Sequence, residues 1–195
     1  MTKFLLASGN KHKSEELTKH LSSQCIVVEA ATKTLDIIED GSSFSENALK
    51  KAKAYYLHYS RPVVSDDSGL VVNCLPDKLG IYSARYGGKG LTDEQRAKKL
   101  LEELKDQNDR SAYFHCTLCF YFSENEYFFF EGNLSGLISN EYKGSRGFGY
   151  DPVFIPLELE EGNETLAMNP EWKERNSHRA VACRHASFFF SNFLS

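Results

Sequence analysis

Two strand-like runs rich in aromatic residues, Ala112–Phe122 and Glu126–Ser135, stand either side of Ser123-Glu124-Asn125. A three-residue polar connection between two such runs predicts a β-hairpin, so the chain must contain a sheet. The remaining segments supply the other half of an α/β protein. Lys3–Ser8 and Ile26–Glu29 read as strands, with an amphipathic helix from about Lys11 to Leu21 between them. Ser43-x-x-Glu46 fits a capping box opening a helix to about Tyr59, and Thr92-x-x-Gln95 fits another opening a helix to about Lys105. A last helix is expected from Ser177, its cap, to Leu194, with Val181, Phe188 and Phe189 on or near its apolar side. This order is neither a strict βαβ repeat nor a meander, which predicts a mixed central sheet flanked by helices.

Length and composition narrow the function. The 195 residues suit one domain (1–195), with room for two lobes but not for two independent domains. A net charge of −4 argues against broad binding to nucleic acid. No apolar run approaches the roughly 20 residues of a membrane span, and the apolar start Phe4-Leu5-Leu6-Ala7 turns polar too soon for a signal peptide. Five cysteines, Cys25, Cys74, Cys116, Cys119 and Cys183, make no disulfide framework and suit a reducing cytoplasm. Cys116 and Cys119 fall three apart on an expected strand, which places them on opposite faces rather than around one zinc ion.

Five segments carry candidate chemistry. Ser8-Gly9-Asn10-Lys11-His12-Lys13 joins a strand to a helix start, where backbone N–H groups suit phosphate oxygens and Lys13 adds charge; the alternative is an ordinary turn with a solvated lysine. Leu35–Ser42 is an acidic loop carrying Asp36, Glu39 and Asp40, either functional or simply solvated. The strand Pro62–Ser65 runs into an expected turn, Asp66-Asp67-Ser68-Gly69, and Leu70–Asn73 leaves it. Adjacent acids ending a buried strand are costly to desolvate unless a cation or donors offset them, and hard oxygens suit Mg²⁺; a capping aspartate is the alternative. In Gly147-Phe148-Gly149-Tyr150-Asp151-Pro152 two glycines bracket an aromatic ring, which suits stacking on a nucleobase or a turn whose aromatics fill core. Lys173, with His178 and Arg179 at the last helix start, puts cations where the helix dipole disfavours them, so an anion or a polar base is a candidate partner; solvated cations are the alternative. No segment supports a nucleophilic serine, since Asp67-Ser68-Gly69 lacks the G-x-S-x-G elbow.

Taken in order, these segments resemble the inosine/xanthosine triphosphate pyrophosphatase family over nearly the whole chain. The matching strings are Ser8-Gly9-Asn10 with Lys13, Phe44-Ser45-Glu46-Asn47-Ala48 with Lys51-Ala52, and Ser65-Asp66-Asp67-Ser68-Gly69-Leu70. They continue through Gly80-Ile81-Tyr82-Ser83-Ala84-Arg85-Tyr86, Gly147 to Phe154, and Ser177-His178-Arg179 with Ala182. The resemblance implies an elongated two-lobed α/β fold with an active-site cleft between the lobes, a homodimer, and Mg²⁺-dependent hydrolysis of a nucleoside triphosphate to monophosphate and pyrophosphate. It implies that Ser8, Gly9, Asn10, Lys11, His12 and Lys13 hold the triphosphate, and that Glu39 and Asp67 bind metal. Asp67 becomes the candidate base, Asp66 its support and Ser68 part of the substrate site; Phe148, Gly149, Tyr150, Asp151, Lys173, His178 and Arg179 surround base and sugar. The sequence departs from the family pattern at Leu79 (commonly proline), Ala167 (a glutamate) and Ser8 (often threonine). A septum-inhibitor-like nucleotide hydrolase would carry a Ser-Pro-Arg-Arg-like start, absent here, and a nucleotide-sensing module without catalysis would have lost the acids at Glu39 or Asp67.

Overall fold

The computed structural model describes residues 2–22 and 26–193; Cys25 and the expected helix end at Leu194 lie outside them. Six strands, β1 (Thr2–Ala7), β2 (Ile26–Ala30), β3 (Val63–Val72), β4 (Ser111–Ser123), β5 (Glu126–Ile138) and β6 (Phe154–Pro156), form one sheet in the order β2-β1-β3-β4-β5-β6. β1 runs parallel to both β2 and β3, while β5 and β6 are antiparallel, so the sheet is mixed. Among the described residues five α-helices accompany it: α1 (Lys11–Leu21), α2 (Phe44–Tyr59), α3 (Asp93–Glu103), α4 (Pro170–Asn176) and α5 (His178–Phe193).

The chain sorts into two compact units. Unit 1 comprises Met1–Ser68, Cys116–Gly132 and His178–Ser195, and unit 2 comprises Gly69–His115 and Asn133–Ser177. In unit 1 the period-2 alternation of strands builds two cores. Phe4, Leu6, Val64, Cys116, Leu118 and Phe120 point to one face and pack with Leu17 of α1 and Ala182, Ala186 and Phe190 of α5. Leu5, Ala7, Val63, Cys119 and Tyr121 point to the other and meet Ala48, Ala52 and Tyr55 of α2. Cys116 and Cys119 thus lie in different cores, as their spacing predicts. Unit 2 has its own core, in which Leu70, Val72, Leu100, Phe114, Ile138 and Phe154 are buried together.

Several local expectations are corrected. Asp66-Asp67-Ser68-Gly69 is not a turn; all four residues lie inside the unbroken ten-residue β3. The acids need no turn to reach water because cations from distant segments meet them, and Gly69 serves close approach, since a Cβ there would sit 2.1 Å from the Gly80 carbonyl oxygen. At α2 the Ser43 hydroxyl accepts the Glu46 N–H, but the Glu46 carboxylate reaches back to Ser42 rather than to Ser43, so the reciprocal box is displaced by one residue. The box at α3, Thr92 with Gln95, is complete. On α5, Phe188 is 75% exposed; the buried stripe is Ala182, Cys183, Ala186 and Phe190, four-residue spacings that turn Phe188 outward.

Candidate active site

Period-2 alternation along β3 gives its two adjacent acids different neighbourhoods. Asp66 shares its face with Val64 and Ser68, towards α1 and α5. Lys13 Nζ lies 3.4 Å from Asp66 Oδ2, and Ser68 Oγ accepts a hydrogen bond of 3.0 Å from Arg179 Nη2. Asp67 shares its face with Val63 and Ser65, towards α2. Its Oδ2 accepts from Asn47 Nδ2 at 3.1 Å, and its Oδ1 accepts the Ser68 N–H at 2.9 Å.

Electrostatics separates the pair further. Both carboxylates are buried. Burial opposes ionisation of Asp66, yet Lys13, Lys51 and Arg179 together outweigh it and hold its pKa below the ordinary carboxylate value. For Asp67 burial wins over Lys13 and Lys51, and its pKa rises to about 6. Asp66 therefore stays charged, while Asp67 sits where a proton is accepted and released near neutral pH.

The acidic loop is drawn to the same place. Tyr59 Oη accepts the Lys33 N–H and donates to the Lys33 carbonyl, while Tyr55 Oη accepts the Leu35 N–H, so two tyrosines of α2 pin the approach to Glu39. Lys51 Nζ then lies 2.6 Å from Glu39 Oε1 and donates at 2.9 Å to the Asp66 carbonyl. Burial works against the Lys51 cation, but Asp66 and Glu39 more than compensate and raise its pKa. A cavity of about 320 Å³ is lined by Gly9, Thr34, Asp36, Glu39, Lys51 and Tyr55 among others, so Gly9 and the acidic loop face one space.

The residues expected from sequence divide between the two units. Unit 1 holds Ser8 to Lys13, Glu39, Asp66, Asp67, Ser68, His178 and Arg179. Asn10 caps α1 by accepting the Lys13 N–H, which occupies one of the amides expected to face phosphate, and Ser8 Oγ bonds within the same turn. Lys11 and His12 are exposed, and Lys11 pairs with Glu15 on its own helix rather than with the acids. His178 and Arg179 are buried, not solvated, and Arg179 is tied to Glu16 of α1 as well as to Ser68. Unit 2 holds Phe148, Gly149, Tyr150, Asp151 and Lys173. Asp151 Oδ2 accepts both the Phe148 N–H and Lys173 Nζ, the latter at 2.7 Å, and Lys173 Nζ stands 4.3 Å from the Phe148 ring centre in a cation–π contact. Tyr150 belongs to the core, its hydroxyl donating to the Ser83 carbonyl.

Sequence reasoning gave no role to Asn47, Lys51 or Glu16. The first two lie four apart on α2, one helical stripe beside the buried alanines 48 and 52, and that stripe was the available signal.

Among the described residues no three His, Cys, Asp or Glu side chains form a ready metal cage. The chemistry of the donors nevertheless suits a hard cation that keeps its waters: on the α2 side of β3 the Glu39 carboxylate lies near enough to act electrostatically on Asp67, and on the other face Asp66 Oδ1 is buried with no hydrogen-bond partner.

Comparison with known proteins gives the family. The chain is 38% identical over 190 residues to a dITP/XTP pyrophosphatase of Halalkalibacterium halodurans, covering 94% of this chain and 96% of that one. It is 39% identical over 192 residues to a dITP/XTP pyrophosphatase of Aquifex aeolicus, covering 93% of each. The solved structure of a HAM1 protein from Coxiella burnetii superposes with a TM-score of 0.88 at 36% identity, covering 98% of this chain and 100% of that one. The family model described as the Ham1 family matches residues 4–189, nearly the whole length that builds both units, and the chain belongs to the Ham1 family.

Proposed function

We propose that this protein hydrolyses noncanonical purine nucleoside triphosphates (ITP, dITP and XTP) to the nucleoside monophosphate and pyrophosphate, removing them from the nucleotide pool. The observation that carries the reading is Asp67, a buried carboxylate bonded to Asn47 and set beside Lys13, Lys51 and Glu39. The names of the relatives support the substrate class.

In this reading Ser8, Gly9, Asn10, Lys11, His12 and Lys13 take the triphosphate, with Lys13 stabilising the pyrophosphate leaving group. Asp67, held by the Asn47 amide and the Ser68 N–H, orients the attacking water and accepts its proton. Asp66 holds Lys13 in place and stays ionised while it does so. Arg179 keeps the Ser68 hydroxyl oriented. Glu39 and Asp67 would hold Mg²⁺, which when bound neutralises charge on the phosphates and lowers the pKa of bound water. Donors directed at a 6-oxo group reject the 6-amino group of adenine, whereas exclusion of guanine requires a pocket shaped against a 2-amino group. The protein is further proposed to act as a homodimer in the cytoplasm, where the free thiols Cys74, Cys116, Cys119 and Cys183 stay reduced; no helix among the described residues is long and apolar enough to cross a membrane.

The test is pyrophosphate release by the purified protein with Mg²⁺ on ITP, XTP, ATP and GTP. Rates on ITP and XTP far above those on ATP and GTP are expected. Equal rates on all four would remove the specificity, and no release from any would remove the enzyme.

A further inference from the structure

Asn47 is fully buried, and its side-chain amide joins the acidic loop to the acid of β3. Its Oδ1 accepts the Gly41 N–H at 2.7 Å, and its Nδ2 donates to Asp67 Oδ2 at 3.1 Å. The chemistry of the two neighbours fixes the orientation. A backbone N–H only donates and an ionised carboxylate only accepts, so a flipped amide would set donor against donor and acceptor against acceptor. Gly41 allows the approach: a Cβ there would lie 2.7 Å from Asn47 Oδ1 and 2.9 Å from Glu46 Cβ. Gly41 is two residues from Glu39. One turn along α2, Lys51 makes the matching pair of contacts, to the Glu39 carboxylate and the Asp66 carbonyl. The helix thus holds loop and strand together by two rungs, and the Asn47 rung ends directly on Asp67.

We propose that Asn47 is a positioning residue which, by bridging the Gly41 amide and the Asp67 carboxylate, sets the spacing of Glu39 and Asp67 for a divalent cation. This rests on the reading of Glu39 and Asp67 as the metal-holding pair. A partner that orients a ligand carboxylate typically controls metal affinity about 10- to 100-fold. The bond between Ser65 Oγ and the Ala48 carbonyl, 2.6 Å, crosses the same α2–β3 seam without touching a carboxylate, and so provides a control for mere loosening.

The experiment is calorimetric titration of Mn²⁺ alone into chelator-stripped full-length protein, with thermal unfolding of each variant to establish folding. Asn47→Ala is expected to weaken Mn²⁺ binding about tenfold or more, and Ser65→Ala to leave it unchanged while lowering Tm. Gly41→Ala, which pushes on the Asn47 amide from the loop side, is expected to weaken Mn²⁺ binding in the same direction and serves if Asn47→Ala does not fold. Wild-type affinity in Asn47→Ala or, failing that variant, in Gly41→Ala overturns the inference, as does equal weakening in Ser65→Ala. If Glu39→Gln and Asp67→Asn both bind Mn²⁺ as the wild type does, it is the metal-holding pair that fails, and the inference fails with it.

Discussion

Replacing Asp67 with asparagine should stabilise the metal-free protein at neutral pH while removing its activity. The folded state raises the Asp67 pKa from 3.8 to about 6, chiefly by burial. A carboxyl group whose pKa is raised by folding holds its proton more tightly in the folded state. Between the two values the unfolded chain binds fewer protons than the folded one, so stability falls as pH rises through this window and the full cost is present above it. About two units at about 1.4 kcal/mol each makes that cost on the order of 3 kcal/mol. Asparagine cannot ionise, so it avoids the cost. It also keeps only one acceptor where Asp67 uses two, for Asn47 Nδ2 and the Ser68 N–H, and losing one bond costs about 1 kcal/mol. The net expectation above about pH 7 is a gain of about 2 kcal/mol, or about 4–8 °C in Tm for a chain of this size. Below about pH 4 the gain vanishes and the lost bond remains. The assay is thermal unfolding of both proteins with chelator across this range, read by circular dichroism. The decisive quantity is the change with pH in the difference between the two stabilities, because the lost hydrogen bond cancels from it. Parallel curves from pH 4 to pH 8 would refute the account of Asp67 as a carboxylate ionised against the cost of burial.

Two further predictions address the supports of the site. Gly132→Ala would place a Cβ 2.1 Å from the His178 carbonyl oxygen and 2.5 Å from the Ala182 N, so β5 and the start of α5 must separate, and a loss of about 2 kcal/mol or more is expected in urea unfolding. An unchanged midpoint would show that α5 does not rest on β5 as described. Lys173→Met strips Asp151 of its buried cation and should cost about 3–5 kcal/mol, with Asp151→Asn in the same chain recovering part of the loss. Equal stability of the single and double variants would refute the reading of that pair as a compensated buried charge.

What was legible in the sequence follows the range of the forces involved. The hairpin strands, the Thr92 cap and the sorting of Phe4 and Leu6 from Leu5 and Ala7 depend on periodicity and local hydrogen bonds, and a single sequence carries both. The candidate residues were picked out by residue type and by resemblance, but the partners that position them were not. Asp66-Asp67-Ser68-Gly69 has turn-like composition yet lies in a strand, and the cations that meet Asp66 there come from α1, α2 and α5. Lys51 looks solvated beside Lys50 and Lys53, and its burial depends on an acidic loop 12 residues before it and a carbonyl 15 residues after it. Phe188 is apolar and so suggests an inward face, whereas the alanine and cysteine stripe of α5 decides which way the helix faces.

The discontinuity of unit 1 sets an order of events on the ribosome. Unit 2 is nested within the chain, in Gly69–His115 and Asn133–Ser177, and all of it is synthesised before α5 emerges. Domains generally fold as units during synthesis, yet unit 1 must wait for its final segment, which brings Ala182, Ala186 and Phe190 to a core begun by Phe4 and Leu6. That segment also carries Arg179, one of three cations that keep Asp66 charged in its buried position. The first-made half of the protein is thus the last to be completed, and a nascent chain stalled before His178 holds its acids with only the lysines of α1 and α2 to balance them.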